Sequence, residues 1–257
     1  MKHLLFFFLS LCVFNEYSKA QNSVEVHYMQ SITQHSIVTQ PAVLYYKDGQ
    51  SMYIHSKGPK GSIMQNLDGT PWKGNDVNTP FMHWYQDTIG AVFYKDYSKK
   101  KLHFREFFYS SPHISGEDFP TFTWNVSRDI KKIGGYTCYK ATTRFRGRDY
   151  TAWFTMDIPI QDGPWKFWGL PGLILEVSDS LNQVKFTAQS IIYPSKANIK
   201  FEPPHDGKIV DFATYKKVDD VEYEKWRRAN QSKDYGRGLQ MSFSRVKVYN
   251  IEKEYEK

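Results

Sequence analysis

Gly163-Pro164-Trp165-Lys166-Phe167-Trp168-Gly169-Leu170-Pro171-Gly172-Leu173-Ile174-Leu175-Glu176-Val177 separates two runs of strand-forming residues. Pro164 and Pro171 fix φ and lack an N–H, whereas Gly163, Gly169 and Gly172 open backbone angles closed to other residues. A segment this apolar and this punctuated reads as a shaped turn that feeds a strand beginning at Leu173. The fold follows from what lies on either side of it.

Upstream, Tyr136 to Phe145 and Asp149 to Ile158 flank Arg146-Gly147-Arg148. Downstream, Leu173 to Ser178 and Gln183 to Ile192 flank Asp179-Ser180-Leu181-Asn182. Each is a hairpin signal: β-branched and aromatic runs bounded by turn residues. Further out, Ala42 to Tyr46 and Met52 to His55 bracket Lys47-Asp48-Gly49-Gln50, where Asp-Gly is a strong hairpin turn. Ala91 to Asp96 and Leu102 to Tyr109 bracket Tyr97 to Lys101. Val24 to Tyr28, Phe122 to Val126 and Gln240 to Tyr249 add single strands. Gly58 to Pro80, Ser110 to Pro120 and Pro194 to Gly207 read as irregular. Asp219 to Gln231 reads as the one amphipathic helix, with Asp219 and Glu222 in capping-box positions and Tyr223, Trp226 and Ala229 at helical spacing. The predicted fold is mainly β, an antiparallel meander forming a strongly curved sheet or half-open barrel covered by that helix.

Met1-Lys2-His3, the apolar run Leu4 to Phe14 and the small residues Ser18 and Ala20 form a secretory leader that ends at Ala20. The expected mature chain is then one β-rich domain over residues 21–257, exported to the periplasm or cell surface. No later segment is long and apolar enough for a transmembrane helix. The chain holds 34 basic and 27 acidic residues, and removal of Lys2, Lys19 and Glu16 with the leader moves its formal charge from +7 to +6. This mild excess is not the dense basic footprint of a nucleic-acid binder. Cleavage also removes Cys12, leaving Cys138 in a strand pattern that favours burial.

Chemical motifs are sparse. The histidines are scattered singly and no Cys-x-x-Cys or His-Glu-x-x-His occurs, so neither a metal site nor a cofactor is expected. No Gly-x-Ser-x-Gly elbow is present; Asp157 and Asp162 are the one carboxylate pair near the central segment, and they leave a hydrolase acting on envelope polymers as an alternative. Lys140, Thr142, Arg144 and Arg146 fall on one face of an extended strand, so Arg144 and Arg146 are candidates for gripping an anionic ligand. Trp165, Phe167, Trp168 and Leu170 have two readings: they plug the sheet, or they line an apolar pocket mouth or docking patch.

Gly169-Leu170-Pro171-Gly172-Leu173-Ile174 is similar to the six-letter signature of the GLPGLI family, and Gly135 to Ala141, Phe145 to Arg148 and Tyr150 to Pro159 resemble that family's preceding strands. The resemblance implies an exported protein of a Gram-negative envelope and carries over no reaction and no catalytic residue. A meander with a helical cover is also similar to periplasmic lipoprotein carriers, which implies a non-enzymatic binding protein for a lipid, a lipoprotein or another amphipathic ligand. An interaction module in an outer-membrane assembly, docking an outer-membrane protein, is the alternative.

Overall fold

The structure, a computed structural model, describes residues 22–33, 37–66, 70–71, 81–108 and 110–231. The strands are β1 (Ser23–Thr33), β2 (Ile37–Lys47), β3 (Gln50–His55), β4 (Gly61–Asn66), β5 (Phe81–Gln86), β6 (Ala91–Asp96), β7 (Lys101–Phe108), β8 (Ser111–Asp118), β9 (Asn125–Ile133), β10 (Tyr136–Phe145), β11 (Arg148–Thr155), β12 (Leu173–Asp179), β13 (Val184–Ile192) and β14 (Lys208–Ile209). The helix α1 (Phe212–Gln231) follows and is the one helix among the described residues. The leader and the strand expected over Gln240 to Tyr249 lie outside the described residues.

Twelve strands form one sheet in the order β14-β8-β7-β6-β3-β2-β1-β13-β12-β11-β10-β9, and β4 and β5 form a separate ribbon. All pairings in the large sheet are antiparallel except β14 against β8. The chain starts in the middle at β1 and steps outward to β8. Residues 119–124 then carry it to the opposite edge, and β9 to β13 step back until β13 pairs with β1. Two meanders therefore share one central seam, as consecutive hairpins require.

The sheet is open but curls tightly. The Tyr53 ring on β3 lies 6.2 Å from Phe186 on β13, three places along the sheet, where a flat sheet would separate them by about 14 Å. At the rims, Arg146 in the β10–β11 turn forms an ion pair with Glu117 on β8. Those strands are nine places apart in the sheet, about 43 Å if it were flat. The half-open barrel is thus drawn together at one end by side chains rather than by a strand ladder.

Turn chemistry explains the tight hairpins. Asp48-Gly49, Gly134-Gly135 and Arg146-Gly147 each have two successive positive φ values, the backbone of type I′ turns, whose twist matches the flanking strands. The β6–β7 turn instead closes on Asp96, whose Oδ1 accepts from the Ser98 and Lys99 amides at 3.1 Å.

Four expectations need correction. Ser111–Asp118, expected to be irregular, is β8; Pro112 and Gly116 disguise it, but an outer strand that pairs over its length on one side tolerates both. Gly61–Asn66 is likewise a strand, β4, and the strand expected over Phe122 to Val126 is replaced by β9, starting at Asn125. The helix begins at Phe212, and Asp219 lies in mid-helix. Its cap is Asp211, which accepts from the Thr214 amide at 2.8 Å, and that bond holds the Asp211 carboxyl below the usual carboxylate range. The stretch from Pro194 to Gly207 is irregular, as its composition predicts.

Burial within this aromatic shell has a consequence for pH. His55 stacks on Phe93, with centroids 6.1 Å apart and planes 19° apart, and burial pushes its imidazole down to about 4. Between pH 6.5 and 4 the unfolded chain takes up a proton that the folded chain refuses, so stability falls as pH drops through that window. Urea unfolding at pH 7 and pH 4.5 is expected to show a loss of about 2 kcal/mol that His55→Gln does not show. Equal losses in both proteins would remove His55 as the cause.

Candidate functional site

The central segment folds inward. Trp165 is 3% exposed and Phe167 is fully buried. The Trp165 ring stacks on Phe186 of β13 at 6.4 Å and meets Phe93 of β6 at 6.3 Å and Phe145 of β10 at 6.0 Å edge-on. Phe167 meets Tyr150 of β11 at 4.9 Å. One loop therefore fills the space enclosed by strands from both meanders, and Leu170 is buried with it. The mouth-lining reading of Trp165, Phe167 and Leu170 is corrected accordingly. A curled twelve-stranded sheet encloses more volume than its own inward side chains fill, and these aromatics occupy the remainder.

A buried cation organises the loop. Lys95 sits on the inner face of β6 beside Phe93 and is 1% exposed. Its ammonium donates to the Asp162 carboxylate, to the Gly163 carbonyl at 2.9 Å and to the Phe167 carbonyl at 3.1 Å. Three donors thus meet three acceptors. Burial pushes the Lys95 pKa below its ordinary value, and the Asp162 charge opposes that shift. The Asp162 carboxylate also accepts from the Gly163 amide at 2.8 Å. Asp157 is exposed, so the two carboxylates suspected of acting together differ in environment, and Asp162 is committed to Lys95.

A second buried charge group closes the rim. Glu117 accepts from Arg146 and, at 2.6 Å, from Lys166. The Lys166 ammonium also lies 4.4 Å from the Phe104 centroid, and the Arg146 guanidinium lies 5.3 Å from that of Phe212 at the start of α1. Arg144 is elsewhere: it is exposed on the outer face and pairs with Asp149 at 3.3 Å. The expected two-arginine grip is therefore divided, because Arg146 belongs to the type I′ turn and leaves the strand's alternation. Cys138 is fully buried and its thiol is pushed up to about 11 by burial, which removes it as a nucleophile at neutral pH.

Concave space lies under α1. The helix rests on the inner face of β7 and β8, with Tyr215 packed on Phe104 at 4.8 Å and on Phe108 at 5.3 Å. Beside this contact, a cleft of about 260 Å³ is walled by Val210, Ala213, Val218 and Val221. Lys208 and Lys217 stand at its exposed rim, and His113 and Glu222 line it from β8 and α1. The His113 Nε2 is 3.9 Å from Glu222. Sequence reasoning missed this site because it started the helix at Asp219; Ala213, Lys217, Val218 and Val221 share one face only when the helix starts at Phe212. Among the described residues no group of three or more His, Cys, Asp or Glu could hold a metal ion, and no helix is long and apolar enough to cross a membrane.

Comparison with known proteins places the organised loop inside a described family segment. Residues 146–176 match a family model described as "Protein of unknown function (Porph_ging)". That segment runs from the β10–β11 turn through the aromatic loop into β12. Comparison with curated proteins finds no match. Two solved structures of PNGF-II, in space groups P21 and C2, share the fold at 16% identity, with TM-scores of 0.51 and 0.50 over 78% of this chain. The chain spans about a third of the length of PNGF-II, 34% and 33% respectively. An uncharacterized conserved protein from Thermus thermophilus aligns with a TM-score of 0.39 and 8% identity, over 76% of this chain and 93% of that one. The chain is thus similar over residues 146–176 to the Porph_ging family and, over most of its length, to part of the PNGF-II fold.

Proposed function

We propose that this chain is an exported, GLPGLI-type binding protein of the cell envelope that holds a small amphipathic anion in the cleft beneath α1. The observation that carries the reading is the cleft: four aliphatic walls with Lys208 and Lys217 at the rim. Apolar walls favour a hydrocarbon tail and the ammonium groups favour a carboxylate or phosphate head. Its volume lies just under the usual range for drug-sized ligands, about 300–1,000 Å³, which suits a short acyl chain. The binding-protein function is kept as the proposal, but its site moves from the motif loop, whose Trp165 and Phe167 are core, to the helix face.

Octanoate titrated calorimetrically into the mature protein tests this. Saturable binding is expected, weakened about tenfold by Lys208→Ala/Lys217→Ala and abolished by Val218→Trp, which fills the cleft from its helical wall. The Val218→Trp melting temperature serves as the folding control. Failure of the wild-type protein to bind, or undiminished binding by folded Val218→Trp protein, overturns the proposal.

A further inference from the structure

Trp168 is the one member of the motif aromatics that stays half-buried, and its surroundings are unlike a core. Its indole meets Phe119 at 4.8 Å with planes 62° apart, and Tyr97 at 6.1 Å and 82°. Tyr97 and Phe119 are themselves perpendicular at 5.1 Å. The Lys100 ammonium lies over all three rings, 4.8 Å from the Trp168 centroid, 5.6 Å from Phe119 and 5.8 Å from Tyr97. Three mutually inclined rings within about 6 Å of one cation are the arrangement by which proteins recognise alkylated ammonium groups.

The walls are held independently of the cation. The Trp168 Nε1 donates to the Pro120 carbonyl at 2.8 Å, and the Trp168 carbonyl accepts from Trp124 at 3.0 Å. The Tyr97 hydroxyl donates to the Gln161 carbonyl at 3.3 Å, and the Phe119 amide donates to the Lys100 carbonyl at 2.9 Å. The occupant is held in an unfavourable backbone: Lys100 has a φ of 54°, a left-handed conformation that asparagine or glycine serves better when only a turn is needed. Lys100 is exposed, so a competing ligand reaches the same seat.

We propose that Tyr97, Phe119 and Trp168 form a binding site for a quaternary ammonium group of the choline class, in which Lys100 sits as a tethered, displaceable occupant. The site is separate from the cleft under α1 and does not rest on the function proposed for it. An intramolecular occupant competes at high effective concentration, so the site is masked until Lys100 leaves. A trimethylammonium group spreads its charge over methyl groups and is less strongly hydrated than a primary ammonium, which favours it in an aromatic seat.

Lys100→Asn tests this, since asparagine accepts the left-handed backbone and is too short to reach the rings. Calorimetric titration with choline is expected to give a Kd at least tenfold lower for Lys100→Asn than for the wild-type protein. Adding Phe119→Leu to Lys100→Asn is expected to return the Kd to the wild-type level or weaker, and 3,3-dimethylbutan-1-ol, the neutral isostere, is expected to bind Lys100→Asn at least tenfold more weakly than choline. Melting curves establish that each variant is folded. Vesicles of phosphatidylcholine then separate the sources: co-sedimentation with Lys100→Asn assigns a lipid headgroup, and choline binding without co-sedimentation assigns a free compound. No gain on removing Lys100, or equal binding of choline and its neutral isostere, overturns the proposal.

Discussion

Asp162→Ala is expected to lower the unfolding free energy by about 3–5 kcal/mol, the range for removing one partner of a buried ion pair. The substitution leaves the Lys95 ammonium in an environment that is 1% exposed, with only the Gly163 and Phe167 carbonyls as acceptors. Burial already disfavours the charged form of Lys95, so without the carboxylate the cation must give up its proton or draw water into the barrel. The loop then loses the contact that fixes Asp162 and Gly163 against β6, and with it the seat of Trp165 and Phe167. Lys95→Met/Asp162→Ala is expected to recover part of that loss, because no unpaired charge remains. Urea denaturation of the two single variants and the double variant measures the coupling. Additive losses would mean that the pair does not act as a unit.

Gly172→Ala is expected to be the most damaging glycine-to-alanine change among the described residues. A Cβ at Gly172 would lie 2.0 Å from the Thr155 carbonyl oxygen, 2.7 Å from its carbon and 3.1 Å from Met156 Cα. All three are backbone atoms at the end of β11, and none can rotate away. Overpacking of this kind costs about 1–3 kcal/mol where side chains can yield; here the strand itself must move, so a loss of at least about 3 kcal/mol or insoluble protein is expected. Gly163→Ala provides the comparison. Its Cβ would meet the Ile174 Cβ at 2.8 Å and Cδ1 at 2.9 Å; rotation relieves the Cδ1 contact and a shift of a few tenths of an ångström the other, far less than Gly172 demands, so a smaller loss is expected. Soluble yield and unfolding free energy order the two, and equal stability of Gly172→Ala and wild-type protein would show that β11 shifts without cost.

Both substitutions act on contacts between segments far apart in the chain, and the same distinction separates the legible parts of the fold from the rest. Asp48-Gly49 and Arg146-Gly147 announce their hairpins because a type I′ turn depends on two adjacent residues. β8 is obscured by Pro112 and Gly116, which penalise a strand in isolation but cost little where the partner β7 supplies the ladder. The helix start at Phe212 has a local signal, the Asp211 cap on Thr214, which the more obvious box at Asp219 and Glu222 outweighed. The cleft beneath α1 was hidden in turn, because its helix wall appears only with the Phe212 start and its other wall comes from β8, nearly a hundred positions earlier in the chain, which pairs with β14.

Sequence alone determined the antiparallel meander, its turns, and the presence of a single rigid Gly/Pro loop between two hairpins, because each rests on contacts between near neighbours. Only the tertiary structure decided that Trp165 and Phe167 point inward while Trp168 remains at the rim, that Arg146 joins Glu117 while Arg144 faces outward, and that Lys95 meets Asp162. Those choices depend on the volume enclosed by a sheet in which β8 and the β10–β11 turn come together although β8 and β10 lie nine places apart. Filling that volume, and pairing every charge drawn into it, are conditions that no stretch of sequence satisfies by itself.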